Sequence, residues 1–325
     1  MNTPTETSVA CAPPVRRAAR TLPVLGALAL AAAFALATPA GASAQAGAGA
    51  RTLAFERGGA GGVASADGSA ARRVAEGVDP AVSPDGSRVA YTRDTSPANG
   101  VVRHIAVADV AGRTSRVMAS VPGDNACAPA WSPDGATLLV NVYFEKGWGV
   151  GVVNADDSGF RWLFRPDPKG RSWWGAAFAP DGASVFCQDL DEIARFTLDG
   201  RKAWSAPASA LFPTAGLNSG ARLSPSPDGK QVLVDVDMDE DVAMKDWDGP
   251  PPAVFAVDLA TRTARRLTPK GAFVWEPAWL DASAFLAIAI GPNDKEPSVV
   301  RVPFAGGAPA LLVKSARCPT ISSPK

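Results

Sequence analysis

The side chains with the greatest capacity for chemistry form an acidic stretch between residues 235 and 248. Carboxylate oxygens are the ligands that Ca²⁺ takes in proteins, so Asp237, Asp239 and Asp241 are candidate ligands for that ion. The ordered spacing and the glycine of an EF-hand loop are missing. A solvated acidic loop, which would also attract a basic partner, is the competing interpretation. The acidic residues of the stretch are Asp235, Asp237, Asp239, Glu240, Asp241, Asp246 and Asp248.

Residues for acid–base or nucleophilic catalysis are scarce. The chain has a single histidine, His104, at the start of an apolar segment. It contains no Gly-x-Ser-x-Gly elbow, phosphate-binding loop, dinucleotide fingerprint or Cys/His metal set. The sequence therefore predicts a protein without enzymatic activity. The alternative left open is cation-assisted ligand binding or hydrolysis by the acidic residues of loop 235–248.

Large side chains occur in segments that are predicted to be long, irregular loops. Arginine and aromatic residues supply much of the binding energy at protein interfaces, so these side chains predict a surface for a protein or peptide partner. The competing interpretation is that the rings pack beneath the loops or between structural repeats. The candidate partner-binding residues are Trp148, Arg171, Trp173, Phe212, Trp247 and Trp275.

A short turn motif, Ser/Ala-Pro-Asp-Gly, recurs along the chain at intervals of 47 to 49 residues, and a degraded copy follows at Asp281. Proline sets φ for the first corner of a turn, aspartate bonds its own backbone, and glycine accepts a positive φ. Each copy precedes an apolar, β-rich segment, so each predicts a β-hairpin. The residues predicted to form these structural turns are Asp85, Gly86, Asp134, Gly135, Asp181, Gly182, Asp228 and Gly229.

The repeats predict an all-β fold, because each contains four short strands and no segment sustains a helical period. Four-stranded units at this spacing are typical of a β-propeller, here with six blades of antiparallel strands. Residues 51–57 resemble a second strand without a first strand before it. Residues 318–325 align with residues 127–134, which places Cys318 on Cys127. The C-terminal strand is therefore expected to complete the N-terminal blade and close the ring.

The motif Pro-x-Trp-Ser-Pro-Asp-Gly at 129–135, followed by an apolar strand, resembles the WD-like repeat of the TolB-type β-propeller family. The resemblance covers about residues 51–325. It implies a non-catalytic propeller that binds protein partners in the periplasm or cell envelope. Proteins named TolB also carry an α/β domain before the propeller. The residues before position 51 leave no room for that domain, so only the propeller is expected.

Residues 1–44 are predicted to be a secretory signal peptide. Three arginines, at 16, 17 and 20, precede an apolar segment of 16 residues, and small residues follow at 42–44. An uncleaved membrane anchor is the alternative, although the apolar segment is shorter than the ~20 residues that a spanning helix needs. We therefore expect a periplasmic protein with a short linker at 45–50 and a single propeller domain at 51–325.

Export would leave a nearly neutral chain, with a net charge of −2, because three arginines and one glutamate lie within residues 1–44. Such a chain has no electrostatic footprint for nucleic acid. The predicted partner is a periplasmic or envelope protein or peptide, bound by a monomer that does not span the membrane once mature. Cys11 would leave with the signal, so Cys127, Cys187 and Cys318 would allow one disulfide at most.

Overall fold

The computed structural model describes residues 51–98, 100–165 and 172–324. The predicted signal peptide, the linker at 45–50 and Arg171 lie outside these residues. The one helix within them, α1 (Ala208–Leu211), is short, and no helix there has the length and apolar character needed to cross a membrane. In chain order the strands are β1 (Thr52–Arg57), β2 (Ala60–Ser65), β3 (Arg72–Glu76), β4 (Val78–Val82), β5 (Arg88–Asp94), β6 (Arg103–Asp109), β7 (Ser115–Val117), β8 (Ala126–Trp131), β9 (Thr137–Phe144), β10 (Gly147–Asn154), β11 (Arg161–Phe164), β12 (Trp174–Phe178), β13 (Ser184–Gln188), β14 (Glu192–Thr197), β15 (Lys202–Pro207), β16 (Ala215–Gly216), β17 (Ser224–Pro225), β18 (Gln231–Met238), β19 (Pro252–Asp258), β20 (Thr263–Arg266), β21 (Phe273–Trp279), β22 (Ala284–Ile290), β23 (Ser298–Pro303), β24 (Ala310–Val313) and β25 (Arg317–Ile321).

The strands form six antiparallel sheets, which confirms the predicted six-bladed β-propeller. Blade 1 is composite, because β25 pairs with β1, and β2 and β3 follow. Strands β4–β7 form blade 2, β8–β11 blade 3, β12–β15 blade 4, β16–β20 blade 5 and β21–β24 blade 6. The first strands of adjacent blades contact one another all the way round the ring, so they surround a central channel.

Apolar side chains pack between adjacent blades and hold the first strands in place. Trp131 of blade 3 shows how this packing works. Its indole Nε1–H donates a hydrogen bond of 2.9 Å to the carbonyl oxygen of Ala81 in blade 2. The guanidinium of Arg88, also in blade 2, lies over the indole, with Cζ 4.6 Å from the ring centroid. One aromatic side chain thus joins two blades through apolar, polar and cation–π contacts.

The repeated turns are structural, as the motif predicted. The carboxylate of Asp85 accepts hydrogen bonds from Ser83 Oγ at 2.5 Å, from Ser87 Oγ at 2.7 Å and from the Ser87 backbone N–H at 3.0 Å. Gly86 follows with a φ of 75°, a conformation that favours glycine. These hydrogen bonds stabilise the charged carboxylate and lower the pKa of Asp85 to about 2. The equivalent glycines are Gly135, Gly182 and Gly229, with φ between 66° and 69°.

We expect Asp85→Ala to lower the free energy of unfolding by about 1 kcal/mol at pH 7, because the turn loses its acceptor and the exposed carboxylate is screened by water. The folded-state pKa lies below the unfolded value of about 3.9, so this stabilisation is present above pH 4. It is lost as the pH falls towards 2. Urea titrations of both proteins between pH 2 and 7 measure the difference. Asp241→Ala, which removes an exposed carboxylate outside the turns, is the control and should leave stability unchanged. A constant difference at every pH would contradict this role for Asp85.

The alignment of the C-terminal strand is wrong by one residue. In β25, Arg317 occupies the pairing position that Cys127 occupies in β8. Cys318 therefore corresponds to Ala128, and the two share a positive φ of 52° and 49°. A shift of one residue moves a strand side chain to the opposite face of the sheet. This shift turns Cys318 towards a different set of neighbours from those of Cys127.

The first strand of blade 5 is divided into β16 and β17, which both pair with β18. The segment between them, residues 217–223, leaves the ladder. Arg222 lies in this segment. The interruption frees its side chain to extend into the channel.

Candidate functional site

The central channel has a wide part and a narrow part. The wide part, the funnel, has a volume of about 820 Å³ and opens among the turn prolines Pro84, Pro133, Pro180 and Pro227. The narrow part, the inner chamber, has a volume of about 90 Å³ and lies towards the opposite, long-loop face, where the first strands begin. Residues that line the inner chamber include Asp79, Asn141, Trp148, Trp174, Arg222 and Glu276.

A ring of buried polar side chains supports the inner chamber. They occupy the same position on the second strand of five blades, and Ile288 takes that position in the sixth. At some of these positions the side chain accepts a hydrogen bond from a backbone N–H in the first strand of the neighbouring blade. Thr92 Oγ1 accepts the Ala128 N–H at 3.1 Å, and Asp235 Oδ1 accepts the Glu276 N–H at 3.2 Å. The five polar residues are Glu56, Thr92, Asn141, Gln188 and Asp235.

Positive φ angles explain why those backbone N–H groups need partners. At the same point in the first strands, Asp79, Ala128, Glu276 and Cys318 have φ between 49° and 52°. The register of each of these strands shifts there, so the ladder leaves a backbone group unpaired. A buried N–H without a partner is costly, and a polar side chain in the neighbouring strand satisfies it. The side chains of the bulged residues then point into the channel.

An ion pair crosses the channel between opposite blades. Arg222 of blade 5 donates from Nη2 to Asp79 Oδ1 of blade 2 at 2.6 Å. The Arg222 side chain keeps 29% of its surface exposed, and it lines both the funnel and the inner chamber. This ion pair therefore marks the boundary between the two parts of the channel.

Cys318 lies among the acidic residues of this boundary. Its backbone N–H donates to Glu276 Oε2 at 2.8 Å, because Ile288 cannot accept it. Its Sγ lies 3.6 Å from Glu56 Oε2 and 3.7 Å from Arg222 Nη2. Burial, and next the charge of Glu276, raise the pKa of the thiol well above its ordinary value. Cys318 is therefore a protonated thiol at neutral pH, without the thiolate character of a nucleophile.

The surroundings of the channel raise the pKa values of several of its side chains and so favour their protonated forms. Burial alone would lower the pKa of the Arg222 guanidinium, but the acidic surroundings, which include the carboxylates of Asp79 and Glu276, outweigh burial and raise it. Burial raises the pKa of Asp235 to about 7, and the nearby charge of Glu276 adds to the shift. Burial also raises the pKa of Glu56. Of these shifts, the one at Arg222 reports a negative electrostatic potential, because there the surrounding charges outweigh burial, whereas at Asp235 and Glu56 burial is the main cause.

Two polar atoms that line this space have no hydrogen-bond partner among the described residues. One is an acceptor, Asn141 Oδ1, and the other is a donor, Trp174 Nε1–H. The Asn141 Nδ2 group donates to the Ala128 carbonyl oxygen at 3.4 Å, which directs Oδ1 away from it. Buried polar groups without partners cost about 1–3 kcal/mol each, so the chamber offers unused hydrogen-bonding capacity.

One predicted partner-binding residue, Trp148, is buried and lines the inner chamber. The sequence predicted an irregular loop here, but β9 and β10 extend to a tight turn at Glu145 and Lys146, whose φ values are both positive. Trp148 is therefore paired with Tyr143 across the strands, and only 7% of its surface is exposed. The expectation that it lies on the surface is wrong, although its indole does reach the channel.

The other predicted aromatics pack under the loops. Phe212 is 2% exposed and contacts Phe255 with ring centroids 5.3 Å apart, so its expected surface position is also wrong. Trp173 packs against Phe196 at 4.8 Å. The Trp247 ring centroid lies 5.4 Å from that of Trp275 and 5.2 Å from that of Phe273. These two contacts fix the loop between β18 and β19 to blade 6. Packing therefore accounts for the positions of Trp173, Trp247 and Trp275.

The predicted calcium ligands do not come together as one site in the described part of the chain. Asp237 lies in β18 and accepts Asn218 Nδ2 at 3.1 Å, whereas Asp239 and Asp241 are exposed in the loop that follows. Neighbouring Glu240 is paired with Arg266. Calcium binding by this stretch stays a prediction.

The described residues place one different set of potential metal ligands together. The ligand atoms of Glu56, Asp79 and Cys318 lie within 4.8 Å of one another. Arg222 already donates to Asp79 and lies beside the thiol, so a guanidinium neutralises this group. Sequence analysis missed these residues. The available signal was the place of Asp79 and Arg222, each six residues before a turn aspartate.

Comparison with known proteins shows the fold. No protein-family model matches the chain, and no curated protein sequence matches it. TolB from Acinetobacter baumannii matches in structure with a TM-score of 0.62 and 18% identity, over 84% of this chain and 67% of that one. A putative TolB from Agrobacterium tumefaciens matches with a TM-score of 0.51 and 21% identity, over 67% of this chain and 76% of that one.

A puromycin hydrolase also matches, with a TM-score of 0.50 and 14% identity, over 84% of this chain and 48% of that one. The same arrangement of blades thus occurs in proteins of different function. At these identities the likeness shows the fold alone, and the chain has the fold of a TolB-type six-bladed β-propeller.

Proposed function

We propose that this chain is an exported, non-catalytic propeller of the periplasm or cell envelope that binds a protein or peptide at the long-loop end of its channel. The likeness to TolB structures and the sequence of residues 1–44 support export to that compartment. Loops and strand ends of repeat proteins are where binding concentrates, because the blades themselves are committed to packing.

The observation that carries the proposal is the unused hydrogen-bonding capacity of the inner chamber. Asn141 Oδ1 needs a donor and Trp174 Nε1–H needs an acceptor. A peptide segment offers both, since each residue carries an N–H and a C=O. Trp148 and Trp174 supply aromatic walls, which are enriched at protein-binding sites.

The test is crosslinking and affinity capture of the tagged chain in its own host. We expect a specific protein to be captured by the native chain and lost, by about tenfold, from a variant that carries Asn141→Val and Trp174→Phe. Trp173→Phe is the matched control, because that neighbouring ring packs on Phe196. Equal capture by all three proteins, or capture of no specific protein, would contradict the proposal.

Cation-assisted ligand binding at residues 235–248 is the competing function, and calorimetry separates the two. Stoichiometric Ca²⁺ binding that disappears in Asp239→Ala and Asp241→Ala, together with unaffected capture by the Asn141 and Trp174 variant, would favour the acidic loop.

A further inference from the structure

The inner chamber has the shape of a subsite for one side-chain end. Its volume of about 90 Å³ exceeds the ~10–15 Å³ that a single water needs, but it is far smaller than the funnel. Gly175 and Gly220 line it and add no side chain. At Gly175, which has a φ of 63°, a Cβ would lie 2.8 Å from the Ala221 carbonyl oxygen, so no larger residue fits. The contact of the Gly175 backbone with Ala221 thus excludes a side chain at this position of the wall.

Two acceptors in the wall of this space, Asn141 Oδ1 and Glu276 Oε1, can each take a further donor, while the Trp174 Nε1–H remains for a carbonyl oxygen of the partner. Asn141 is 4% exposed, and its Oδ1 has no partner among the described residues. Glu276 uses Oε2 to accept the Cys318 N–H, and its Oε1 has no hydrogen bond within the described part of the chain. A ligand group with several N–H donors would satisfy both acceptors. A primary ammonium has three donors and no acceptor.

Carboxylates outnumber arginines at and directly behind the chamber wall. Asp79 and Glu276 line it together with Arg222 and Arg317. Three further carboxylates lie behind them: Glu56 beside the Cys318 thiol, Asp235 on the Glu276 N–H, and Asp237 on Asn218. The raised pKa of Arg222, which burial alone would lower, agrees with a negative potential. Burial raises the pKa values of Asp235 and Glu56 and so favours their neutral forms, and an added cation favours their ionisation. Together with the carboxylate of Glu276, this stabilises a cation in the chamber.

Two aromatic rings in the wall of the inner chamber provide further favourable contacts for a cation. The indoles of Trp148 and Trp174 both line the chamber. Tryptophan is the side chain whose ring face attracts cations most strongly. Trp148 already makes one cation–π contact, because Arg103 Cζ lies 5.9 Å from its ring centroid.

We propose that the inner chamber binds a primary ammonium group of the partner, either a lysine side chain or a free peptide amino terminus, with Glu276 and Asn141 as its acceptors. This rests on the proposed function, because it names the part of the peptide that enters deepest. Arg222 lines both the inner chamber and the funnel and is paired with Asp79, so we place the ammonium on the long-loop side of this ion pair.

Calorimetric titration of the purified chain with short peptides at low salt tests the proposal. The probes are acetyl-Gly-Lys-Gly-amide, its norleucine analogue, and Gly-Gly-Gly-amide with a free amino terminus. We expect the lysine or the free-amine peptide to bind at least tenfold more tightly than the norleucine peptide, and the preferred probe identifies the source of the ammonium. Glu276→Gln keeps the acceptor for the Cys318 N–H but removes the charge, so it should weaken this binding about tenfold. Asp239→Asn, an exposed carboxylate outside the chamber, is the control and should leave binding unchanged.

Equal affinity for the lysine, free-amine and norleucine peptides overturns the ammonium site, as does an unchanged affinity in Glu276→Gln. Occupation of the chamber by Ca²⁺ alone, with no peptide bound, overturns it too. Asn141→Val provides a second variant if Glu276→Gln does not fold, as judged by circular dichroism. Capture of a partner that persists after its amines are acetylated would overturn only the ammonium site. If the native chain captures no specific protein even when the amines are unmodified, the proposed function is overturned as well.

Discussion

Replacing Arg222 with methionine is expected to lower the free energy of unfolding by about 3 kcal/mol at pH 7.5. The reason is that removal of one partner from a largely enclosed ion pair leaves the other charge uncompensated, which costs about 3–5 kcal/mol when burial is complete. The lower end applies here, because 29% of the Arg222 side chain remains exposed to the channel. Denaturant titration measures the change.

The decrease in the free energy of unfolding caused by Arg222→Met should be smaller at pH 5 than at pH 7.5. Burial raises the pKa of Glu56 in the folded state, so its neutral form stabilises the protein below the unfolded pKa of about 4.3. That stabilisation is lost as the pH rises through the folded pKa. Without the Arg222 guanidinium, the ionised carboxylate of Glu56 destabilises the folded state more, so the loss of stability is larger at the higher pH. The double variant Arg222→Met, Asp79→Asn should recover part of the loss, since the uncompensated carboxylate is gone.

Arg195→Met is the matched control for Arg222→Met. Arg195 is about as exposed as Arg222, at 31%, but its partner Asp181 is 47% exposed, whereas Asp79 is only 18% exposed. Exposed pairs contribute about 0–1 kcal/mol, so this variant should remain close to the native stability. Equal losses in Arg195→Met and Arg222→Met would contradict a special role for the channel ion pair.

Removal of the closing strand is expected to have the largest effect on stability. A chain that ends at Ser315 lacks β25 and leaves blade 1 with three strands. It also exposes the apolar cluster that includes Leu53, Phe55 and Leu286, against which Ile321 packs. Burial of each such side chain contributes roughly 1.5–3 kcal/mol, and a domain of this kind has about 5–15 kcal/mol in total. We expect loss of cooperative thermal unfolding, measured by circular dichroism.

Strand replacement separates ring closure from general damage. A synthetic peptide with the sequence of residues 315–325 should restore cooperative unfolding when added to the shortened chain, because it can pair with β1 as an added strand. Removal of Pro324 and Lys325 alone is the control. It keeps β25 and the hydrogen bond from Ser323 N–H to the Pro84 carbonyl oxygen at 2.9 Å. Unchanged unfolding of the chain that ends at Ser315 would show that closure by β25 contributes little.

The fold was predictable because its signals are local and repeated. Asp85 and Gly86 specify a turn through their own backbone chemistry, and the motif recurs at a nearly constant spacing. Strand pairing at the ring closure was predicted correctly, but its register was not. A single-residue insertion in an irregular first strand cannot be seen in a short alignment, and this shift placed Cys318 on Cys127 instead of Ala128.

The candidate site was much less predictable. The sequence predicts a loop at Trp148, because Glu145-Lys146 does not resemble the Asn-Gly type of turn that it forms. The density of carboxylates at 235–248 predicts a cation site, yet Asp239 and Asp241 face solvent. The residues that line the channel are single polar side chains in otherwise ordinary strands.

The turns, most strands, the number of blades and the closure of the ring follow from the amino-acid sequence. These features depend on backbone preferences within a few residues and on a pattern that repeats. Which polar groups meet depends on the folded ring. Cys318 and Glu56 are 262 residues apart in the chain, yet they meet at the channel because the ring brings them there. Their charge, burial and hydrogen bonds arise from this assembly, and no local pattern encodes them.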